Sequence, residues 1–401
     1  MTETKLRRNS DLQMEWDGDG VLWVSSREAG VRLSLPAQAV MLLDAFDGSR
    51  SASDVVAQLG AGPELLGFID MLQERNILVG ETFTSRYFEN YHVGDHHSML
   101  RDEPRMETYQ QALGELVGPE TVVADCGTGT GVLALFAAKA GAKRVYAIEG
   151  SRWIEVAKAM AHANGVEDRI VFVRGQMEKV ELPEKVDLIV SECMDSLFVD
   201  ARMLPDVLKF RDKWLKPGGI IVPQWGKILV APVEAPSEYA DWMSRWETMS
   251  DRYQLTFEPL ATLAAHGSHR RPLAPGCMLA PPLQVAAIDL ATAVARTPSF
   301  RASVAFDVNR EGWFHGFAGF FEAPLSPRVT LSTSPEERMT HWQQHYFPLP
   351  ARALRKGDRL ELDIQVGPCQ GNRRRLDAIL RGTHIRGTQP LGEFEQEFLE
   401  F

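Results

Sequence analysis

Strands and helices that alternate from 121 to 223, a glycine-rich turn directly after the first of those strands, and a mostly β pattern beyond Pro223 predict an α/β, Rossmann-like domain followed by a β-barrel. A small α+β, winged-helix-like domain is expected in front of them. The 401 residues exceed what one ordinary core holds, so several domains are expected.

Taken in order, residues 1–15 read as a polar tail and 16–82 as the N-terminal domain. Val21-Leu22-Trp23-Val24 and Val31-Arg32-Leu33 predict a hairpin. Three short helices follow, from Ala37 to Phe46, from a cap at Ser51 or Ser53 to Leu59, and from about Pro63 to Arg75. Asn76 to Val79 predicts a closing strand. Residues 83–223 form the α/β domain, opening on an aromatic and charged stretch and a helix over 103–117. Its five strands are predicted at Thr121–Asp125, Arg144–Glu149, Ile170–Val173, Val186–Val190 and Ile220–Pro223. Helices are predicted at Val132–Ala140, Trp153–Asn164 and Met203–Trp214. Residues 224–401 are assigned to the barrel, with an inserted arm over about 234–265 that carries a helix from Ser237 to Arg252. Phe300–Val308, Trp313–Glu322 and Arg359–Val366 predict strands; the last alternates, with Leu360, Leu362, Ile364 and Val366 on one face.

Composition narrows the function classes. There are 43 Lys and Arg against 54 Asp and Glu, a net charge of −11, which disfavours nucleic acid as a partner. No apolar run of eighteen residues occurs, so no membrane span is expected. The N-terminal stretch lacks an apolar signal core, which predicts a cytoplasmic protein. Cys126, Cys193, Cys277 and Cys369 are scattered without a C-x-x-C spacing, so neither a metal site nor a disulfide framework is expected.

The turn Asp125-Cys126-Gly127-Thr128-Gly129-Thr130-Gly131 joins a strand to a helix. Glycines allow a sharp bend and let a ligand lie on bare backbone. The third glycine comes one residue too early for a dinucleotide fingerprint. With no pyrophosphate to cradle, the tighter spacing suits an adenosyl-sulfonium linkage that carries no phosphate. Glu149 ends the second strand, where an acid can hold ribose hydroxyls. Glu178 follows the third strand, in reach of an adenine.

Several further motifs occur in a fixed order. They are Tyr87-Phe88-x-x-Tyr91, Met99-Leu100-Arg101-Asp102-Glu103-x-Arg105, Phe136 to Ala142, Val180-Glu181-Leu182-Pro183, Asp212 to Gly219, Ser332-Thr333-Ser334-Pro335 and Thr340-His341-Trp342. In these the chain resembles the protein arginine methyltransferases, over 86–223 and much of 224–366. The resemblance implies an S-adenosyl-L-methionine-dependent methyltransferase that releases S-adenosyl-L-homocysteine. It implies Arg105 on the methionine carboxylate, and Asp125, Gly127 and Gly129 along the methionine and ribose side. Glu149, with Gly150, would sit at the ribose, and Met177 and Glu178 near adenine. Tyr87, Phe88, Tyr91 and His96 would belong to the lid, with Tyr87, Phe88, His96 and Met99 binding the cofactor and Tyr91 facing substrate. Glu192 would be the first acid of the family's two-glutamate loop, catalytic and in touch with both cofactor and substrate, and His341, also catalytic, and Trp342 would close the substrate pocket. The Trp242 and Trp246 helix lies where the family carries a dimerisation arm, which implies a homodimer.

A guanidinium stays protonated, and two carboxylates can clamp it bidentately while one nitrogen faces the methyl. Here the family's second glutamate falls on Ala201, so Asp200 or Asp195 would have to supply the second carboxylate. The implied acceptor is an arginine, free or in a peptide or protein, in a bacterial biosynthetic pathway. The alternative is a carboxylate, hydroxyl or amine of a ribosomal peptide. Leu35-Pro36-x-x-Ala39, Leu42-Leu43-Asp44-x-x-Asp47-Gly48 and Phe68-x-x-x-Leu72 resemble the pyrroloquinoline-quinone peptide-chaperone type of recognition domain. That resemblance implies a leader peptide added to the hairpin; a structural role is the alternative.

Overall fold

A computed structural model describes every residue except 1–4, 10–11, 18–20, 27–30, 63, 76, 81–92, 200–202, 296–297, 370–371 and 400–401. The chain divides into two compact units, Met1–Asp95 and His96–Phe401.

The first unit contains β1 (Lys5–Arg8), β2 (Gln13–Trp16), β3 (Leu22–Ser26), β4 (Val31–Leu35), α1 (Ala39–Ala45), β5 (Asp47–Ser51), α2 (Ala52–Gln58), α3 (Glu64–Glu74) and β6 (Leu78–Gly80). β2, β3 and β4 form one antiparallel sheet in that order, and β1 lies between β5 and β6 in another. Ser51 and Asp54 form a reciprocal capping box that starts α2. Leu22, Val24, Leu43, Phe46, Val55, Ile69 and Leu72 supply the core. The region read as a polar tail is thereby corrected: β1 and most of β2 fall in it, and Leu6 is buried. A single apolar residue in Lys-Leu-Arg-Arg leaves no period to read, and both partners of β1 lie far downstream.

Helix α4 (Val93–Arg101) runs across the division, and α5 (Glu103–Leu116) follows. Asp102 caps α5 by accepting from the Arg105 backbone N–H at 3.0 Å. The parallel sheet is built from β7 (Val122–Cys126), α6 (Val132–Lys139), β8 (Arg144–Glu149), α7 (Trp153–Ala163), β9 (Ile170–Arg174), β10 (Val186–Ser191), α8 (Leu204–Trp214) and β11 (Leu215–Val222). Its order is β11-β10-β7-β8-β9. The chain therefore reverses direction across the sheet between β7 and β10, whose carboxyl ends are where ligands bind in such sheets.

β12 (Trp225–Val233) begins the C-terminal region. The arm then leaves it as α9 (Pro236–Tyr239), a π-helical stretch Ala240–Ser244, α10 (Arg245–Tyr253) and α11 (Glu258–Ala265). It returns into β13 (His269–Arg271), β14 (Leu283–Asp289), β15 (Phe300–Asp307), β16 (Gly312–Ser326), β17 (Val329–Ser332), β18 (Gln344–Leu354), β19 (Arg359–Cys369), β20 (Asn372–Arg386) and β21 (Gln389–Phe398). β13-β18-β16-β12-β14 form one sheet, with β17 beside β16, and β15-β19-β20-β21 a second. The boundary expected at Pro223 does not separate two cores. One apolar cluster runs from Tyr109 on α5 to Phe398 on β21. Phe198, in the loop after β10, and Trp342 both pack edge-on against Phe321 of β16. No described helix is long and apolar enough to cross a membrane.

Candidate active site

β7 ends on Asp125 and Cys126, and the chain then bends through Gly127, Gly129 and Gly131 at φ of 76°, 54° and 86°. Only glycine takes these left-handed values without strain. A Cβ on Gly127 would stand 3.3 Å from Cys193 Sγ and 3.8 Å from Met177 Cε. One on Gly129 would stand 3.1 Å from His96 Cε1, so His96 of the expected lid lies directly against the turn. Its ring is braced by Trp153, 3.9 Å away between centroids.

Two buried acids flank this bend. Glu149 Oε2 accepts from Gly129 N–H at 2.9 Å and Oε1 from Ser151 N–H at 2.8 Å. Each oxygen keeps a lone pair for a ligand hydroxyl. Asp125 Oδ2 accepts from the Thr128 hydroxyl at 2.5 Å and from Ala134 N–H at 3.0 Å. Its Oδ1 is buried without a partner. Burial pushes the Asp125 carboxyl up to about 7, against the pull of those two hydrogen bonds. The folded state thus holds a proton up to about pH 7 that the unfolded chain releases near 3.8. In ligand-free protein this contribution to stability is complete below the unfolded value and is lost as pH rises through the folded one. Melting temperatures between pH 4 and 8 should therefore show a downward component that Asp125→Asn flattens; an unchanged slope in the variant would remove Asp125 as its source.

Across from the glycines, Arg105 Nη2 donates to Glu192 Oε2 at 2.8 Å, and both side chains are buried. Burial opposes the guanidinium charge, but the Glu192 carboxylate, with Tyr109 and Asp102 adding to it, offsets that and holds Arg105 above its usual range. Arg105 Nη1 also donates to the Met99 carbonyl at 3.3 Å. Arg105, expected to face the cofactor carboxylate, and Glu192, expected to face the acceptor, therefore hold each other. Tyr109, fully buried, donates to the Ser191 carbonyl at 3.3 Å and braces the end of β10.

Asp102 Oδ2 accepts from both the backbone N–H and Nδ1 of His341, each at 2.7 Å. Despite burial, which pushes the other way, these bonds hold the Asp102 carboxyl below its usual range. Trp342, expected to close the substrate pocket, packs beneath the loop after β10. It is only 1% exposed, and its indole N–H donates to the Met194 carbonyl at 3.0 Å. Asp195 is half-buried, and its Oδ1 accepts from the Ser196 N–H at 2.7 Å. Glu178 is largely buried, 4.0 Å from Lys179. Met177 is buried near the glycines, whereas Gly150 meets only the Gly175 carbonyl, 3.6 Å from its Cβ position. Asp200, Tyr87, Phe88 and Tyr91 lie outside the described residues.

Sequence reasoning missed what seats the loop after β10. Phe198 adopts φ 66° and packs over Gly226 of β12, where a Cβ would come within 2.5 Å of its ring. Leu197 fills the space left by Gly319 of β16. Ser196 Oγ lies 2.9 Å from His345 Nδ1 on β18. Two glycines in strand patterns were the available signal, since such positions mark close approach.

Residues 224–383 match the arginine methyltransferase oligomerization subdomain, and 107–235 match the ribosomal protein L11 methyltransferase family. The chain is 33% identical over 332 residues to a probable protein arginine N-methyltransferase 6.1 of Oryza sativa subsp. japonica, covering 73% of this chain and 84% of that protein. It is 32% identical over 318 residues to protein arginine N-methyltransferase 8-B of Danio rerio, covering 75% and 74%. Among solved structures it is similar to a Trypanosoma brucei PRMT1 enzyme–prozyme heterotetrameric complex with AdoHcy, at 27% identity and a TM-score of 0.71, covering 77% of this chain and 98% of that one.

Proposed function

Because this chain belongs to the protein arginine N-methyltransferase family, we propose that it moves the methyl group of S-adenosyl-L-methionine onto a guanidinium nitrogen of an arginine held at Glu192. The observation that carries this reading is the glycine bend with Glu149 on one side and the Glu192 loop on the other. Incubation with methyl-labelled cofactor tests it. An arginine-containing peptide should take up label, and the same peptide with lysine in place of arginine should not. Equal labelling of both would refute the arginine acceptor.

The cradle fits the cofactor: bare α-carbons, a carboxylate with free lone pairs for hydroxyls, and a buried acid oxygen awaiting a donor. Once bound, S-adenosyl-L-methionine supplies an electrophilic methyl on a sulfonium centre. Glu149 would hold its ribose hydroxyls, Asp125 its ammonium group and Arg105 its carboxylate, with Glu178 toward adenine. Methyl transfer needs alignment and exclusion of water more than covalent help. Glu192 orients the guanidinium, and Asp102 keeps His341 fixed, so that His341 would accept the released proton. Arg105 turning toward a ligand carboxylate would free Glu192 for the acceptor.

The arm is read as a dimer contact. Tyr253, Leu255, Leu260 and Leu263 are exposed on α10, α11 and the turn between them, Leu263 at 70%. Leu263→Asp should shift a homodimer toward monomer in sedimentation velocity; an unchanged distribution would argue against the arm. For the first unit, β2 and β4 are edge strands of the β2-β3-β4 sheet, and β2 exposes Met14 and Trp16. An extended leader peptide could add a strand there and deliver an acceptor. That would place the enzyme in a bacterial peptide-tailoring pathway. Ala201 at the position of the family's second glutamate favours the other acceptor classes if Asp200 or Asp195 does not replace it.

A further inference from the structure

His345 sits on β18, opposite Arg270 of β13 and Gly319 of β16. Both of its ring nitrogens are engaged. Nδ1 lies 2.9 Å from Ser196 Oγ, in the loop after β10. Nε2 lies 2.8 Å from Ser268 Oγ, where the inserted arm rejoins the barrel. The ring, Ser196 and their contact are buried. Burial, with His269 and Arg270 adding to it, pushes the imidazole down to about 3. The ring is therefore neutral in ordinary buffers, with one nitrogen as donor and one as acceptor. One serine hydroxyl accepts from it and the other donates to it, so the orientation of either hydroxyl constrains the ring tautomer.

Ser196 stands at a sensitive point of the loop. Its N–H and the Phe198 N–H both return to Asp195, at 2.7 and 2.8 Å. The turn that carries Glu192 and Met194 into the site is thus closed at Asp195 and fastened to the barrel through Ser196, Leu197 and Phe198. Of these three fastenings, only Ser196 leads on to the arm.

We propose that His345 is a positioning residue that ties the acceptor loop to the root of the inserted arm, through Ser196 on one side and Ser268 on the other. It touches no reacting group; it acts by fixing where the loop sits. The arm's placement then bears on acceptor binding through one imidazole. The proposal rests on reading residues 192–199 as the acceptor loop.

Full-length wild type, Ser268→Ala, His345→Leu and the double variant are compared in two ways. Hydrogen exchange of the 194–199 segment reports loop closure without requiring activity. Steady-state kinetics with an arginine–glycine peptide report acceptor use. Loss of one hydrogen bond of ordinary strength should speed exchange at Phe198 roughly fivefold and raise the peptide KM by a similar factor. S-adenosyl-L-homocysteine affinity should stay within about twofold. The double variant should be no worse than His345→Leu alone, since both cut one chain of contacts. Unchanged exchange in Ser268→Ala, or additive effects in the double variant, would overturn the proposal even if melting temperatures fall. If His345→Leu does not fold, the Ser268→Ala result decides. A wild type inactive on the peptide would count against the arginine acceptor, and exchange would still decide the coupling.

Discussion

Glu192→Gln is expected to lower kcat by roughly 10²–10³-fold, the scale seen when one preorganised electrostatic contact to a transition state is removed. The glutamine keeps the shape and can still accept from Arg105, so the loop should stay folded. What it loses is the charge that orients a cationic acceptor. Cofactor affinity is expected to hold or improve, because in the ligand-free protein Glu192 competes for Arg105 at 2.8 Å. Single-turnover methylation and calorimetry with S-adenosyl-L-homocysteine separate the two effects. Substantial remaining turnover would remove Glu192 as the acceptor anchor. A cofactor affinity that collapses with turnover would assign the pair to cofactor binding alone. Arg105→Ala is the harsher change, because it strands a buried carboxylate at a cost of about 3–5 kcal/mol, and it should be read by melting first.

The second large effect is expected at the glycine bend. Gly129→Arg places a side chain where a Cβ alone already stands 3.1 Å from His96, at a φ of 54° that side chains rarely adopt. The backbone N–H of the same residue donates to Glu149, so any shift in the bend also moves the acid assigned to the ribose. Cofactor affinity should fall by at least about 100-fold, more than a 2.7 kcal/mol loss. The C-terminal sheets should be unperturbed. Normal binding by the variant would mean that the ligand lies elsewhere. Gly141→Ala is a useful contrast: it shares the positive φ, but a Cβ there meets nothing within 4 Å.

Both effects depend on features of different legibility in sequence. The glycine bend and Glu149 can be read because they sit within one strand–turn–helix–strand run, where spacing alone constrains geometry. The parallel sheet and the arm helix are legible for the same reason, through their periodicity. The Arg105–Glu192 pair joins residues 87 apart, and the Asp102–His341 pair residues 239 apart. Sequence supplies the members of such pairs without saying that they meet. Arg105 and Glu192 are both legible as functional, but nothing in the sequence says that they pair with each other. Trp342 illustrates a second limit: its motif does not say that it is buried or that its indole N–H donates to the Met194 carbonyl. Strands β20 and β21 give a third. Arg- and Glu-rich alternation over 372–398 hides them, since much of their outer face is exposed.

A crystal structure of the protein with S-adenosyl-L-homocysteine tests the central claim most directly. The account predicts ribose hydroxyls on the Glu149 carboxylate, the adenosyl linkage against Gly127 and Gly129, and the homocysteine carboxylate on Arg105. A ligand bound away from that bend, or density absent at saturating concentration, would contradict it.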